Sequence, residues 1–193
     1  MYFSTPLVAA SARESASGTG TLGRIGDTPT TIKRINIPDG ADGVAATLRI
    51  MRTAANESLT DDPSGTIILL VRELFAPVPE RSWADEICIL HEFVRDHIRY
   101  TLDPDELEMI QTPLKTLEIQ QGDCDDKSTL LAAMLKAGGH PARFCAVGMN
   151  GEMFSHVLVE AKHGDDWVPL ETILDVPVGW EPPNITSRYY HKV

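Results

Sequence analysis

Positive charge is in short supply in this chain. Across 193 residues, 17 Lys and Arg stand against 28 Asp and Glu, a formal net charge of −11, and no basic run interrupts the trend. A nucleic-acid backbone or an anionic membrane surface would be repelled, so neither is expected as a partner. Cysteine is scarce as well. Cys88, Cys124 and Cys145 form an odd set without framework spacing, which excludes a disulfide scaffold and suits a reducing compartment. No stretch approaches the roughly 18 apolar residues that span a bilayer. The first ten residues lack a positive n-region and give way to Arg13 and Glu14, unlike a secretory signal. The expected location is cytoplasmic, or within a virion-like particle assembled there.

What is present is the composition of one soluble globular domain, 42% hydrophobic and 23% charged, with no metal or cofactor needed to hold its core. Residues 1–31 read as a flexible N-terminal arm. From Ser11 to Thr31 the arm is Ser, Gly, Thr and Ala with few large apolar groups, too little burial to offset ordering entropy. Residues 32–193 read as a single domain, with a helical extension over 40–75, a core over about 82–173 and a tail over 176–193 without pattern.

Val44, Leu48 and Met51, then Ile67, Leu70, Val71 and Leu74, recur at helical spacing in that extension. Ser82 is placed to cap a third helix, with Asp85 and Glu86 in its first turn and Ile87, Leu90, His91, Val94 and Ile98 along one face. Residues 102–121 read as an irregular or briefly helical connection. A buried helix is expected from Asp123 to Ala137, ended by Gly138-Gly139. The period then changes. Segments 142–149, 154–161 and 167–173 read as three antiparallel strands. Helices followed by a sheet make an α+β fold.

The chemistry concentrates at Gly122-Asp123-Cys124-Asp125-Asp126. Asp123 can cap the helix, with Asp126 in the capping-box position, which puts Cys124 at the first helical residue. There the helix dipole and unpaired N–H groups favour a thiolate, while the flanking carboxylates oppose one. A partner histidine is therefore needed. Of six histidines, His156 is the one inside a predicted strand, where sheet geometry can aim it; His163 is assigned to a hairpin loop, His140 follows Gly-Gly, His191 is in the tail, and His91 and His97 lie on a helix upstream.

Hairpin register supplies a third member. With Lys162–Asp165 as a four-residue loop, Ala161 faces Asp166, and His156 then faces Glu171 at the roughly 4.5 to 5.5 Å Cβ separation of direct cross-strand pairs. A carboxylate there could hold the imidazole tautomer. Blander readings apply to the parts: an isolated cysteine is usually an inert buried residue, as Cys88 and Cys145 are expected to be, and an isolated His–Glu pair is usually a surface contact. A metal site is excluded because consecutive side chains at a helix start diverge and no second His or Cys has ligand spacing.

These residues resemble the transglutaminase-like superfamily of papain-type cysteine hydrolases. The resemblance rests on Gly122 to Asp126, the helix ending in Gly138-Gly139-His140-Pro141-Ala142-Arg143, His156, and Trp167-Val168-Pro169-Leu170-Glu171, and covers about residues 82–173. It implies a Cys helix packed on an antiparallel sheet and a catalytic set of Cys124, His156 and Glu171, the last where the family usually has Asp. No oxyanion donor is evident by motif; Gln111, Gln120 and Gln121 are candidates, with Gln111 preferred. The implied function is a cysteine-dependent protease or amidase acting on a peptide or protein through an acyl-enzyme, with acyl transfer to an amine as an alternative. Small chains of this type are also similar to gene products of tailed phages and prophages, so a non-catalytic assembly protein with partners in a virion-like particle is a further alternative.

Overall fold

The computed structural model describes residues 7–12, 30–35, 37–38, 40–103, 108–151 and 153–193. Among them the fold is α+β, as expected. Five helices run α1 (Gly40–Thr60), α2 (Thr66–Phe75), α3 (Trp83–His97), α4 (Pro113–Ile119) and α5 (Cys124–Ala137). A four-stranded antiparallel sheet has the order β8 (Asp166–Leu170), β7 (His156–His163), β6 (Ala142–Met149), β9 (Ile185–Lys192). Two smaller sheets join β1 (Leu7–Ala12) to β2 (Thr30–Ile35) and β4 (Glu108–Gln111), and β3 (Arg99–Tyr100) to β5 (Gln121–Gly122). None of the helices described is long and apolar enough to cross a membrane.

α5 is the centre of the molecule. It packs against α1 to α4 and against β6 and β7, and Leu130, Leu131, Ala132, Ala133, Met134 and Leu135 are all fully buried. Val44, Leu48, Met51 and Ala55 of α1 and Ile67 and Val71 of α2 meet the same core as Leu90 and Val94 of α3. At roughly 25 cal/mol per Å² of apolar surface removed from water, this shared burial is the main force holding α1 and α2 onto the sheet-bearing half.

Several expectations are corrected. Leu7–Ala12, inside the segment read as a flexible arm, is a strand paired with β2 and in parallel with β4; backbone pairing leaves little trace in a run of small residues. Residues 13–29 lie outside the described set. The tail contains β9, which pairs with β6 along its length. Its polar and charged residues sit at alternate half-buried and exposed positions, an edge strand without the alternation of apolar and polar that signals one. The connection over 102–121 contains β4, α4 and β5. Ser82 occupies the N-cap of α3, but its hydroxyl bonds the Asp85 carboxylate and caps no backbone N–H.

Candidate active site

Gly122 ends β5 one residue before the cap of α5. A Cβ at this position would stand 2.5 Å from Asp126 Cβ and 2.9 Å from its Oδ2, so only glycine lets the strand come this close to the helix. Asp123 then turns the chain. Its carboxylate accepts from the Asp125 and Asp126 N–H groups at 3.0 and 3.3 Å, and the Asp126 carboxylate accepts in return from the Asp123 N–H. This is the reciprocal capping box, of which the cap bond contributes about 1 kcal/mol. Cys124 is thereby fixed at the first helical position, where its own N–H has no helical carbonyl to reach.

What anchors Cys124 to the sheet follows from where β8 stops. Its last residue, Leu170, pairs with Val159, so Val157 has β6 on one side, opposite Ala146, and no strand on the other. The first turn of α5 takes the strand's place. The Val157 N–H donates to Cys124 Sγ, and the Ser128 hydroxyl donates to the Val157 carbonyl at 3.2 Å. Cys124 and Ser128 are four residues apart and share one helix face. The residue before Val157 is His156, so this grip brings the Cys124 end of α5 to the strand end that carries His156.

Cys124 Sγ is also 3.4 Å from Asp125 Oδ1. Burial, and then the charges of Asp125 and Asp123, hold the thiol well above its ordinary pKa, and the Val157 N–H offsets only part of this. The sulfur is a resting thiol. Cys145 is buried beside Val147 and Leu158 on the other face of the sheet, where burial pushes it up to about 11. Cys88 is half-buried on α3.

His156 Nε2 lies 2.7 Å from Glu171 Oε2. The two residues meet, but by a different register from the one expected. The hairpin turn is two residues, Gly164 and Asp165, with Gly164 at φ +60°, which permits so tight a turn. His163 is the last residue of β7, paired with Asp166. This shifts the ladder by two residues. An even shift leaves the alternation of faces intact, so Glu171, one residue past β8, reaches His156 diagonally. A diagonal pair is separated by roughly 7 to 8 Å, a span that the extra methylene of Glu over Asp helps to cover.

Glu171 is held from several sides. Its Oε1 accepts from the Ile173 N–H at 2.7 Å, and its main-chain carbonyl accepts from His91 Nε2 at 2.5 Å. Burial alone would raise its pKa. The His156 bond and charge, with the N–H groups of Ile173 and Leu174, prevail and hold it below the usual value. His91 is fully buried in α3 and ties that helix to the acid. Lys127 Nζ, also buried, donates to the Ile98 carbonyl at 2.5 Å and the Arg95 carbonyl at 3.3 Å, closing the end of α3; burial lowers its pKa to about 8, and the Glu171 charge offsets only part of this.

Gln111 lies on β4 against the same capping box. Its backbone N–H and its Nε2 each donate to Asp126 at 2.6 Å, and Nε2 also points at the Gln121 carbonyl at 3.5 Å. The amide nitrogen is thus committed to Asp126 and not directed at Cys124. Gln121 Oε1 accepts from Arg99 at 2.7 Å, and Gln120 is the exposed left-handed cap of α4. The acid under Gln111 is unusual: burial pushes Asp126 up to about 7.

A model of the transglutaminase-like superfamily matches residues 71–172, more than half of the chain. The chain belongs to this superfamily. The matched span runs from α2 to one residue beyond Glu171 and so contains Cys124, His156 and Glu171 in order. Among solved structures, a presumed protease from Parabacteroides distasonis superposes with a TM-score of 0.56 at 14% identity, covering 91% of this chain and 37% of that protein. A presumed cysteine protease from Cytophaga hutchinsonii gives 0.44 at 16% identity, covering 66% and 46%. These likenesses concern the fold, and this superfamily member spans less than half the length of either protein. No relative among the curated proteins matches the sequence.

His91 and Lys127 were not singled out as site residues by sequence reasoning. The available signal for His91 was a polar ring on an otherwise apolar helix face, and for Lys127 a charge within a helix expected to be buried.

Proposed function

We propose that this chain is a cysteine-dependent hydrolase that cleaves amide bonds of a peptide or protein through a thioester. Cys124 Sγ attacks the carbonyl carbon as His156 takes the thiol proton, and the carbonyl oxygen becomes an oxyanion. Because Nε2 of His156 is committed to Glu171, Nδ1 is the nitrogen that receives the proton. Collapse of the adduct breaks the C–N bond, and the departing amine leaves with the proton from His156. Water, deprotonated by His156, then attacks the thioester, releasing the carboxylic acid and restoring the thiol. Glu171 fixes the imidazole tautomer and stabilises its charged form.

The observation that carries this reading is the 2.7 Å His156–Glu171 bond at the strand end whose next residue donates to Cys124 Sγ. The carboxylates that raise the Cys124 thiol favour a second reading, a non-catalytic protein that keeps the fold for assembly. The two part on acylation by p-nitrophenyl acetate followed by mass spectrometry. As a hydrolase, the wild type acetylates at Cys124 and turns over, Cys124→Ala does neither, and His156→Ala slows acylation by about 10²- to 10⁴-fold. Acylation indifferent to His156, or turnover persisting in Cys124→Ala, would leave the assembly reading.

A further inference from the structure

An acyl transfer through Cys124 needs hydrogen-bond donors for the oxyanion, and the site supplies one from the backbone. The Cys124 N–H stands at the first helical position without a helical acceptor, while the Asp123 carboxylate draws the next two N–H groups to itself. One donor rarely suffices, and Gln111 and Gln121 are engaged with Asp126 and Arg99, while Gln120 is an exposed helix cap. A second donor must come from a side chain that reaches Cys124 and is free to meet a substrate.

Tyr100 flanks the start of α5. It is the second residue of β3, and its Cα partner in β5 is Gly122, two residues before Cys124. The Thr101 N–H donates to the Gly122 carbonyl at 3.0 Å, which pins this strand beside the helix start. Tyr100 is 41% exposed, so it is open to solvent. After burial, the strongest influence on the phenol is the Cys124 sulfur, followed by Asp123, Asp103 and Asp125. With Cys124 resting as a neutral thiol, burial and the Asp123, Asp103 and Asp125 carboxylates keep the hydroxyl protonated, a neutral donor.

We infer that the Tyr100 hydroxyl is the side-chain oxyanion donor of this site, acting with the Cys124 N–H on the tetrahedral intermediate. The inference rests on the acyl-transfer reading above and deepens it. A tyrosine at the rim suits a carbonyl arriving from solvent, whereas Gln111 lies beneath the helix start, tied to Asp126. The surrounding carboxylates make a neutral donor more suitable than a cation, which they would neutralise.

The test compares two reactions of the same sulfur in wild type and Tyr100→Phe, a change that keeps the ring. Acetylation of Cys124 by p-nitrophenyl acetate passes through an oxyanion; alkylation by iodoacetamide displaces iodide and does not. Tyr100→Phe is expected to slow acetylation by about 100-fold, the low end of the range for loss of one oxyanion donor, with alkylation within about twofold of wild type. Equal slowing of both reactions would overturn the proposal, because the tyrosine would then act on the thiol. Unchanged acetylation would also overturn it, leaving Cys124 and His156 in place as the reactive pair. A wild type that is never acetylated at Cys124 would remove the acyl-transfer reading and this one together. Coincident thermal unfolding of the two proteins checks that the variant is folded.

Discussion

Glu171 combines near-complete burial with a carboxylate that stays ionised, because His156, Ile173 and Leu174 all direct hydrogens at it. Replacing it by Gln keeps an acceptor for His156 Nε2 but removes the charge that supports the imidazolium. Glu171→Gln should therefore reduce kcat by about 10- to 100-fold on an ester substrate, less than the roughly 10⁴ reported when the tautomer itself is lost. The same residue leaves a mark on stability. Its folded pKa lies below the unfolded one, so its contribution is complete above about pH 5 and disappears as pH falls through the folded value. Urea midpoints of the wild type should drop between pH 5 and pH 3, and those of Glu171→Gln should drop less.

At the scale of elements, the capping box of α5 carries a second titration of opposite sign. Asp126 is buried, accepts from Asp123 and twice from Gln111, and titrates near 7. Gln111 Oε1, next to it, is buried without a partner among the described residues. A protonated Asp126, with the Gln111 amide turned over, would satisfy that oxygen. The folded state then holds a proton that the unfolded chain has lost, and stability falls as pH rises from about 4 to about 7, by no more than roughly 1.4 kcal/mol per unit. Asp126→Asn, with the Gln111 amide turned to accept from it, should fold with near wild-type stability at pH 7 and flatten this slope. Thermal melts across pH 4.5 to 7.5 would show it; an unchanged slope would assign the proton elsewhere.

The same helix shows how far the sequence could be read. Asp123 and Asp126 announce the cap by type and spacing, and the 3.6-residue recurrence of large apolar side chains announces α3 and α5, because both signals are local. The meeting of His156 with Glu171 was legible only by parity. A turn two residues shorter than assumed, made possible by Gly164, moved every pair yet left the faces unchanged. β1 and β9 were not legible, since their order comes from pairing with distant strands. The commitment of Gln111 to Asp126 likewise depends on a contact between β4 and α5 that no spacing reveals.

At the scale of the whole molecule, a net charge of −11 in 193 residues makes the compact state repel itself. Added salt screens that repulsion, with a Debye length falling from about 10 Å at 0.1 M to about 3 Å at 1 M. The melting temperature should rise by a few degrees between 0.05 and 0.5 M NaCl at pH 8. A flat or falling curve would mean that local pairs such as Arg143–Glu160 and Arg188–Glu181 outweigh the global field.

The first turn of α5 meets the sheet at the main chain of Val157, whose N–H donates to Cys124 and whose carbonyl accepts from Ser128. Side-chain substitution at position 157 cannot delete these links: any residue except proline presents the same two groups. Position 157 is therefore free to vary with the packing around it while the spacing of cysteine and histidine is inherited unchanged, so the alignment is robust to mutation at the residue that maintains it.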